Sequence, residues 1–198
     1  MRVYSYVLVH DTGFAPNPYW GSCTLANCKP QIRKNAKVQD WIIGTGSANN
    51  VGSGKLIYAM RVDEILSYDR YFNDPRFQTK KPGKQGTIEE CGDNIYYSKS
   101  NKWHQLSSYH TQQDIKSDTG GLNVLISNHF YYFGNKAISL PDSIDSILFQ
   151  GRGYKINFSP DLITNFLDWL TQNYEPKIYG EPNNKRFSTP IQLGRRRS

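Results

Sequence analysis

The hydrophobic and polar positions of "RVYSYVLVH" alternate through β-branched and aromatic residues, which predicts a strand over residues 3–9. "KPQIRKNAK" fits a short helix, with Pro30 in its first turn and Ile32 and Ala36 one turn apart. "DWIIGTG" predicts a short buried strand running into glycines. "KLIYAMRVDEI" predicts a second long strand carrying Leu56, Tyr58, Met60 and Val62 on one side. "SYDRYFND" reads as one or two helical turns capped by Ser67 and ended by Pro75. From "TKKPGKQG" to Gly121 the periodicity fades into a polar, Gly- and Ser-rich stretch, with "NIYY" and "KWHQL" as strand fragments. "LNVLIS" and "HFYYFG" predict two strands around Asn128. "SPDLITNFLDWLTQNY" is the clearest helix, capped by Ser159, with Pro160 at its first position and an apolar stripe of Leu162, Phe166, Trp169 and Leu170. No internal repeat is present. The sum predicts an α+β domain over residues 1–174, built on a small bent antiparallel sheet or small barrel with peripheral helices and a C-terminal helix. Residues 175–198 read as a basic C-terminal arm.

The least ordinary sequence lies between the first strand and the first helix: "HDTGFAPNPYWGSCTLANCKP". Glycine, proline and asparagine at this density make a fixed irregular loop. Its prolines lower the entropy cost of holding one shape, and its low charge suits burial. The expectation is that it lies beside "DWIIGTGS" and walls a pocket for a flat ring. The chain has 14 Tyr, 9 Phe and 4 Trp, which supply stacking faces for bases or the ordinary packing of a β-rich protein.

Length and charge narrow the classes. A chain of 198 residues can bury one real core, and 21% charged against 37% hydrophobic residues is a globular composition. No apolar run reaches the roughly 18 residues of a membrane span, and no signal peptide is expected. Three cysteines, an odd number, argue against a disulfide framework and suit a reducing cytoplasm. A net charge of +7 favours an anionic partner. The arm beyond Tyr174 accounts for +4 of that charge, so the body is only mildly basic.

No complete catalytic motif stands in the sequence. Cys23 and Cys28 are separated by four residues, with Cys91 far away and His104, His110 and His129 scattered. A structural zinc wants a second tight pair, which is missing, so these cysteines read as small thiols packing the loop. A nucleophilic Cys23 beside a histidine lacks a local motif. "GTGSANNVGSGK" departs from the phosphate-loop pattern because it leads into a strand, but Thr45, Gly46 and Ser47 can offer donors at a pocket rim. Asp11, Asp40 and Asp74 could form a carboxylate set, although each also fits a turn.

"SYVLVHDTGFAPNPYWGSCTLANCKPQIRKNAKVQDWIIGTGS", "YAMRVDEILSYDRYFNDPRFQTKKP" and "VLISNHFYYFGNKAISLP", in this order, closely resemble the nucleotide modification associated domain 2 family. The resemblance covers the chain to about Tyr174. It implies a setting in phage or bacterial gene clusters that make or handle modified nucleotides, and it leaves the chemistry open. A shorter stretch, from "VQDWIIGTG" to "YFNDPRF", is similar to EVE-type domains of the PUA-like superfamily, with Gln39 where that pattern has Gly. That similarity implies a PUA-like barrel with a base-binding pocket at its mouth.

Together these readings assign ligand binding to Asn17, Thr24, Trp41, Thr45, Gly46, Ser47, Ser127, His129 and Tyr132. Contacts to a nucleic-acid backbone are assigned to Lys29, Arg33, Arg152, Arg195, Arg196 and Arg197. The expected function is binding of a modified base or nucleotide, the alternative being a glycosylase or hydrolase acting on one. Catalytic residues stay unassigned, and no metal, cofactor or membrane is expected. The expected partners are a modified nucleotide or nucleic acid and the enzymes of nucleotide modification.

Overall fold

The computed structural model describes residues 1–185. Along the chain run β1 (Val3–Val7), β2 (Cys23–Leu25), α1 (Pro30–Asn35), β3 (Trp41–Thr45), β4 (Leu56–Arg61), β5 (Glu64–Ser67) and α2 (Tyr68–Asn73). These are followed by β6 (Tyr96–Lys99), β7 (Lys102–Gln105), α3 (Ile115–Thr119), β8 (Asn123–Ser127), β9 (Phe130–Tyr132), β10 (Tyr154–Lys155) and α4 (Pro160–Asn173).

The larger sheet has the order β10-β1-β3-β4-β9. Only β1 and β3 are parallel neighbours, and a parallel pair needs a long crossover. The proline loop, β2 and α1 supply it, so the unusual sequence is forced across the end of the sheet. A second sheet has the order β2-β8-β5. The stretch expected as one long strand divides after Arg61 into β4 and β5, one in each sheet. The hinge is held by Asp63, whose Oδ2 accepts the backbone N–H groups of Asn128 and His129 at 2.7 and 3.1 Å. The same turn sends β8 and β9 to different sheets. The fold is α+β, and the sheets do not close into a barrel among the described residues, so the barrel mouth implied by the second similarity is not formed.

Apolar burial stacks these parts in layers. Ile163, Phe166 and Leu170 of α4 pack on Val3, Trp41, Ile43, Ala59 and Tyr131, while Leu162 and Trp169 lie at the flank of that contact, half-buried. The opposite face, with Tyr4, Tyr6, Ile42, Tyr58 and Met60, meets Leu25, Leu125 and Ile32. Beyond the second sheet, Val124 and Ile126 pack with Tyr68, Tyr71 and Tyr96. Each such side chain, fully buried, is worth about 1.5–3 kcal/mol of transfer free energy. β1 is shorter than its sequence pattern, because Val9 is already exposed as the chain turns toward Asp11.

Packing continues past Tyr174. Tyr132 exchanges backbone hydrogen bonds with Lys177 and Tyr179, Asn135 donates to the Glu181 carbonyl, and Asn184 donates to the Asp11 carbonyl. The part of the expected arm between 177 and 184 is thus laid against β9 and the start of the proline loop. Among the described residues no helix is long and apolar enough to cross a membrane.

Candidate functional site

Cys28 and Lys29 both adopt the left-handed conformation, with φ of 58° and 43°, immediately before Pro30 opens α1. Two consecutive non-glycine residues in this region are uncommon, and such strain concentrates at functional sites. What holds the turn is Arg33, one turn into the helix. Its Nε donates to the Cys28 carbonyl, Nη1 to Tyr68 Oη and the Asn123 carbonyl, and Nη2 to the Asp118 carbonyl, all at 2.6–2.7 Å. Gly121 makes this possible, since a Cβ there would lie 2.6 Å from Nη1. Arg33 therefore clamps the Cys28 turn to α3.

Asp118 sits on α3 with 2% of its surface exposed. Its Oδ1 accepts the Cys28 backbone N–H at 2.8 Å, and its Oδ2 accepts Tyr96 Oη at 2.9 Å. His110, in the loop after β7, places Nδ1 2.5 Å from the same Oδ2 and Nε2 3.4 Å from Cys28 Sγ. The imidazole thus lies between a buried carboxylate and a half-buried thiol. Burial alone lowers the His110 pKa, but its hydrogen bonds to Asp118 and Cys28 outweigh that and push it up to about 10. A cationic imidazole beside a sulfur is the arrangement that activates a thiol as a nucleophile, with the carboxylate fixing the ring.

Sulfur, ring nitrogen and carboxylate oxygen lie within 4.8 Å of one another, close enough for a metal to gather them. Each ring nitrogen also faces one neighbour, Nδ1 the carboxylate and Nε2 the sulfur. The geometry is that of a proton relay.

The sulfur borders a cavity of about 330 Å³ lined by His10, Thr12, Phe14, Ala15, Cys28, Tyr109, His110 and Asn184, at the lower end of the size range of ligand pockets. Phe14 is the aromatic wall, its ring 4.8 Å from that of His110 and 5.5 Å from that of Tyr109. Asn184 is fixed by its Oδ1, which accepts the Asp11 N–H at 2.9 Å. Asp11 is itself buried and takes the Tyr132 hydroxyl at 2.5 Å. Burial pushes its carboxyl up to about 6 against the lowering effect of the Tyr132 hydroxyl and the Asn183 and Gly13 N–H groups.

The proline loop does wall a cavity, but the opposite wall comes from residues 109–110 and Asn184, not from residues 41–47 or 127–133. Asn17 and Thr24 are fully buried, Asn17 accepting from Lys80 and Thr24 donating to Asp93. Trp41 lies in the α4-facing core, stacked on Tyr131 and edge-on to His129. Thr45 donates to the Phe149 carbonyl, and Gly46 donates to the Lys55 carbonyl in the hairpin turn. Ser47 Oγ is buried with no hydrogen-bond partner among the described residues. Ser127 donates to the His129 carbonyl, closing the turn between β8 and β9. Tyr132 reaches the cavity only through Asp11. Trp41 and Ser127 both meet His129, and Asn17 and Thr24 form a backbone bridge, but none of these residues lines the cavity at Cys28.

Of the residues assigned to phosphate, Arg33 is fully buried and committed to the clamp, so its guanidinium faces no solvent. Lys29 is half-buried with Nζ 4.4 Å above the Tyr6 ring, Arg152 is exposed, and Arg195, Arg196 and Arg197 lie outside the described residues. Asp40 and Asp74 cap local turns, taking the N–H groups of Lys37 and Arg76, so the three-aspartate set does not assemble. Cys23 and Cys91 are buried as expected of packing thiols, and burial pushes both up. Cys28 is the exception. Its signal in the sequence was its place just before a helix, since His110 and Asp118 stand 82 and 90 residues away and only folding gathers them.

No curated protein and no solved structure matches the chain. The family model described as "Nucleotide modification associated domain 2" matches residues 1–189. The sheets, the clamped Cys28 turn and the cavity all fall within that match, and the chain belongs to the nucleotide modification associated domain 2 family.

Proposed function

We propose that this domain is a cysteine-dependent hydrolase that removes a carbonyl-bearing group from a modified nucleotide or base. The observation that carries the reading is the unbroken relay from Asp118 through His110 to Cys28 Sγ at the cavity wall. In the first half-reaction the sulfur attacks a carbonyl carbon. The tetrahedral adduct collapses, and the departing amine or alcohol takes the His110 proton, leaving a thioester on Cys28. In the second, neutral His110 takes a proton from water, whose oxygen attacks the thioester and expels the thiolate with the acid product. Asp118 keeps the ring oriented and stabilises its cationic form.

Membership of the family supports a nucleotide-modification setting. Phe14 offers a ring face, and Thr12 and Asn184 offer hydrogen-bonding groups, which together suit a base. Glycosidic cleavage is less well served, because it draws on a pair of carboxylates and Asp11 is already held by Tyr132 behind the wall.

The test is incubation with nucleosides and nucleotides carrying N-acyl, ester or carbamoyl groups, followed by acid quench and intact-protein mass measurement. The expected result is release of the acid and an adduct mass on Cys28, both absent in Cys28→Ala. Binding of a modified nucleotide without turnover, equal in the two proteins, is the result expected of a pure base reader and overturns the hydrolase. Turnover that needs added zinc and stops with chelation overturns the relay in favour of metal chemistry.

A further inference from the structure

We propose that the outer face of the β6–β7 hairpin is a stacking platform for single-stranded nucleic acid. It is separate from the cavity and does not rest on the reading of Cys28.

The hairpin pairs Tyr97 with His104 and Lys99 with Lys102. Strand alternation puts these four residues on one face, while Tyr96 and Trp103 turn the other way onto Tyr68. On the outer face Tyr97 and His104 stack at 5.3 Å with an interplanar angle of 19°. Phe72 of α2 continues the pile on the far side of Tyr97, at 4.5 Å and 27°. Lys81 closes that end, its Nζ 3.7 Å from the centre of the Phe72 ring. At the other end the pile stops at His104, which is exposed and whose side chain has no further ring contact or hydrogen bond among the described residues. A row of three near-parallel rings with an open end is a place where one more flat ring adds at little cost, and every base has such a face.

Charge selects the partner. Lys99 and Lys102 stand directly opposite each other, both exposed, across the two-residue turn Ser100–Asn101. Like charges in cross-strand register repel, so folding alone does not favour the pair, whereas a phosphate bridging them removes the repulsion. The carboxylate of α2 nearest the hairpin, Asp69, is already taken by Ser98 N and Oγ. Rings in a pile with Lys81 at the Phe72 end and a lysine pair two residues further along the hairpin match a strand of unpaired bases on its phosphates. A duplex keeps its base faces inside and cannot use His104.

The experiment is fluorescence anisotropy with labelled oligo-dT of twelve nucleotides, and with a duplex of equal length, at several salt concentrations. Wild type should prefer the single strand. His104→Ala should weaken that binding by about five- to a hundredfold, and His104→Phe should restore it. Lys99→Gln/Lys102→Gln should weaken binding and reduce the salt slope by roughly 1.4, about 0.7 for each lysine on a single strand. Cys28→Ala should leave all of this unchanged. Equal affinity of wild type and His104→Ala for the oligonucleotide overturns the platform, as does equal affinity of wild type for single strand and duplex, because a purely electrostatic surface gives both.

Discussion

Two buried carboxylates, Asp93 and Asp118, are both nearly sealed from solvent and stand on the same poorly periodic stretch, yet their networks end differently. Asp93 takes Thr24 Oγ1 at 2.5 Å and Tyr71 Oη at 2.7 Å. Close by, Lys80 Nζ is held by the Asn17 and Ser22 carbonyls and by Asn17 Oδ1. Every path out of Asp93 leads to another buried group, and that network closes on itself. Asp118 begins in the same way, with Tyr96 and the Cys28 N–H, but its third partner is His110, and beyond His110 lies a sulfur on a cavity wall. A closed polar network fixes one packing arrangement. One that ends at a cavity can pass a proton to a ligand.

The comparison breaks most visibly in kinetics. Cys28→Ala should lower turnover of a responsive substrate by on the order of 10⁴-fold or more while leaving the melting temperature nearly unchanged, since the thiol is only half-buried. If this variant turns over substrate normally, the two networks are not different in kind. Asp118→Asn should follow, with kcat reduced about 10²–10⁴-fold through a misoriented ring and KM little moved, and with some loss of stability where Tyr96 and the Cys28 turn lose their acceptor. Asp93→Ala should act in the opposite sense. Denaturant unfolding should show roughly 3–5 kcal/mol lost, with turnover per folded molecule retained.

The smallest effects sharpen the contrast through pH. Folded His110 has its pKa pushed from 6.5 to about 10, with Asp118, Cys28 and Asp114 around it. The folded state therefore holds a proton that the unfolded chain gives up between those values. Its contribution is complete below pH 6.5 and is lost as pH rises toward 10, with a slope of at most about 1.4 kcal/mol per pH unit. Lys80 runs the other way. Burial lowers it from 10.5 to about 8, against the pull of Asp93, so its contribution makes stability rise with pH between 8 and 10.5. Urea unfolding across pH 6–10.5 should show His110→Gln removing a falling slope and Lys80→Met removing a rising one. Identical pH curves for all three proteins contradict both assignments.

The sheets and α4 were legible because apolar residues recur there with the period of the element, as in Ile42–Ile43 and in Phe166 with Leu170. The division of "KLIYAMRVDEI" into β4 and β5 was not, because the bend depends on Asp63 receiving N–H groups from a turn more than sixty residues away. The stretch from Lys80 to Thr119 read as polar and irregular for a physical reason: it buries Lys80, Asp93, Asn94 and Asp118, whose partners are distant in sequence or, for Tyr96 and His110 on Asp118, out of step with any regular period. Buried polar groups carry no periodicity. Arg33 misled in the same way, since a basic residue on a short helix gives no sign that four oxygens await it. The loop around Cys28 was recognisable as a wall, but its facing wall was not.

The central claim is that His110 activates Cys28, and it can be tested without a known substrate. Alkylation of the native protein by iodoacetamide at pH 7, followed residue by residue by peptide mass spectrometry, carries its own controls in the buried Cys23 and Cys91. The account predicts rapid labelling at Cys28 alone, slowed by about tenfold or more in His110→Ala because the imidazole beside the sulfur is gone. Labelling of Cys28 at the same rate in both proteins would contradict it.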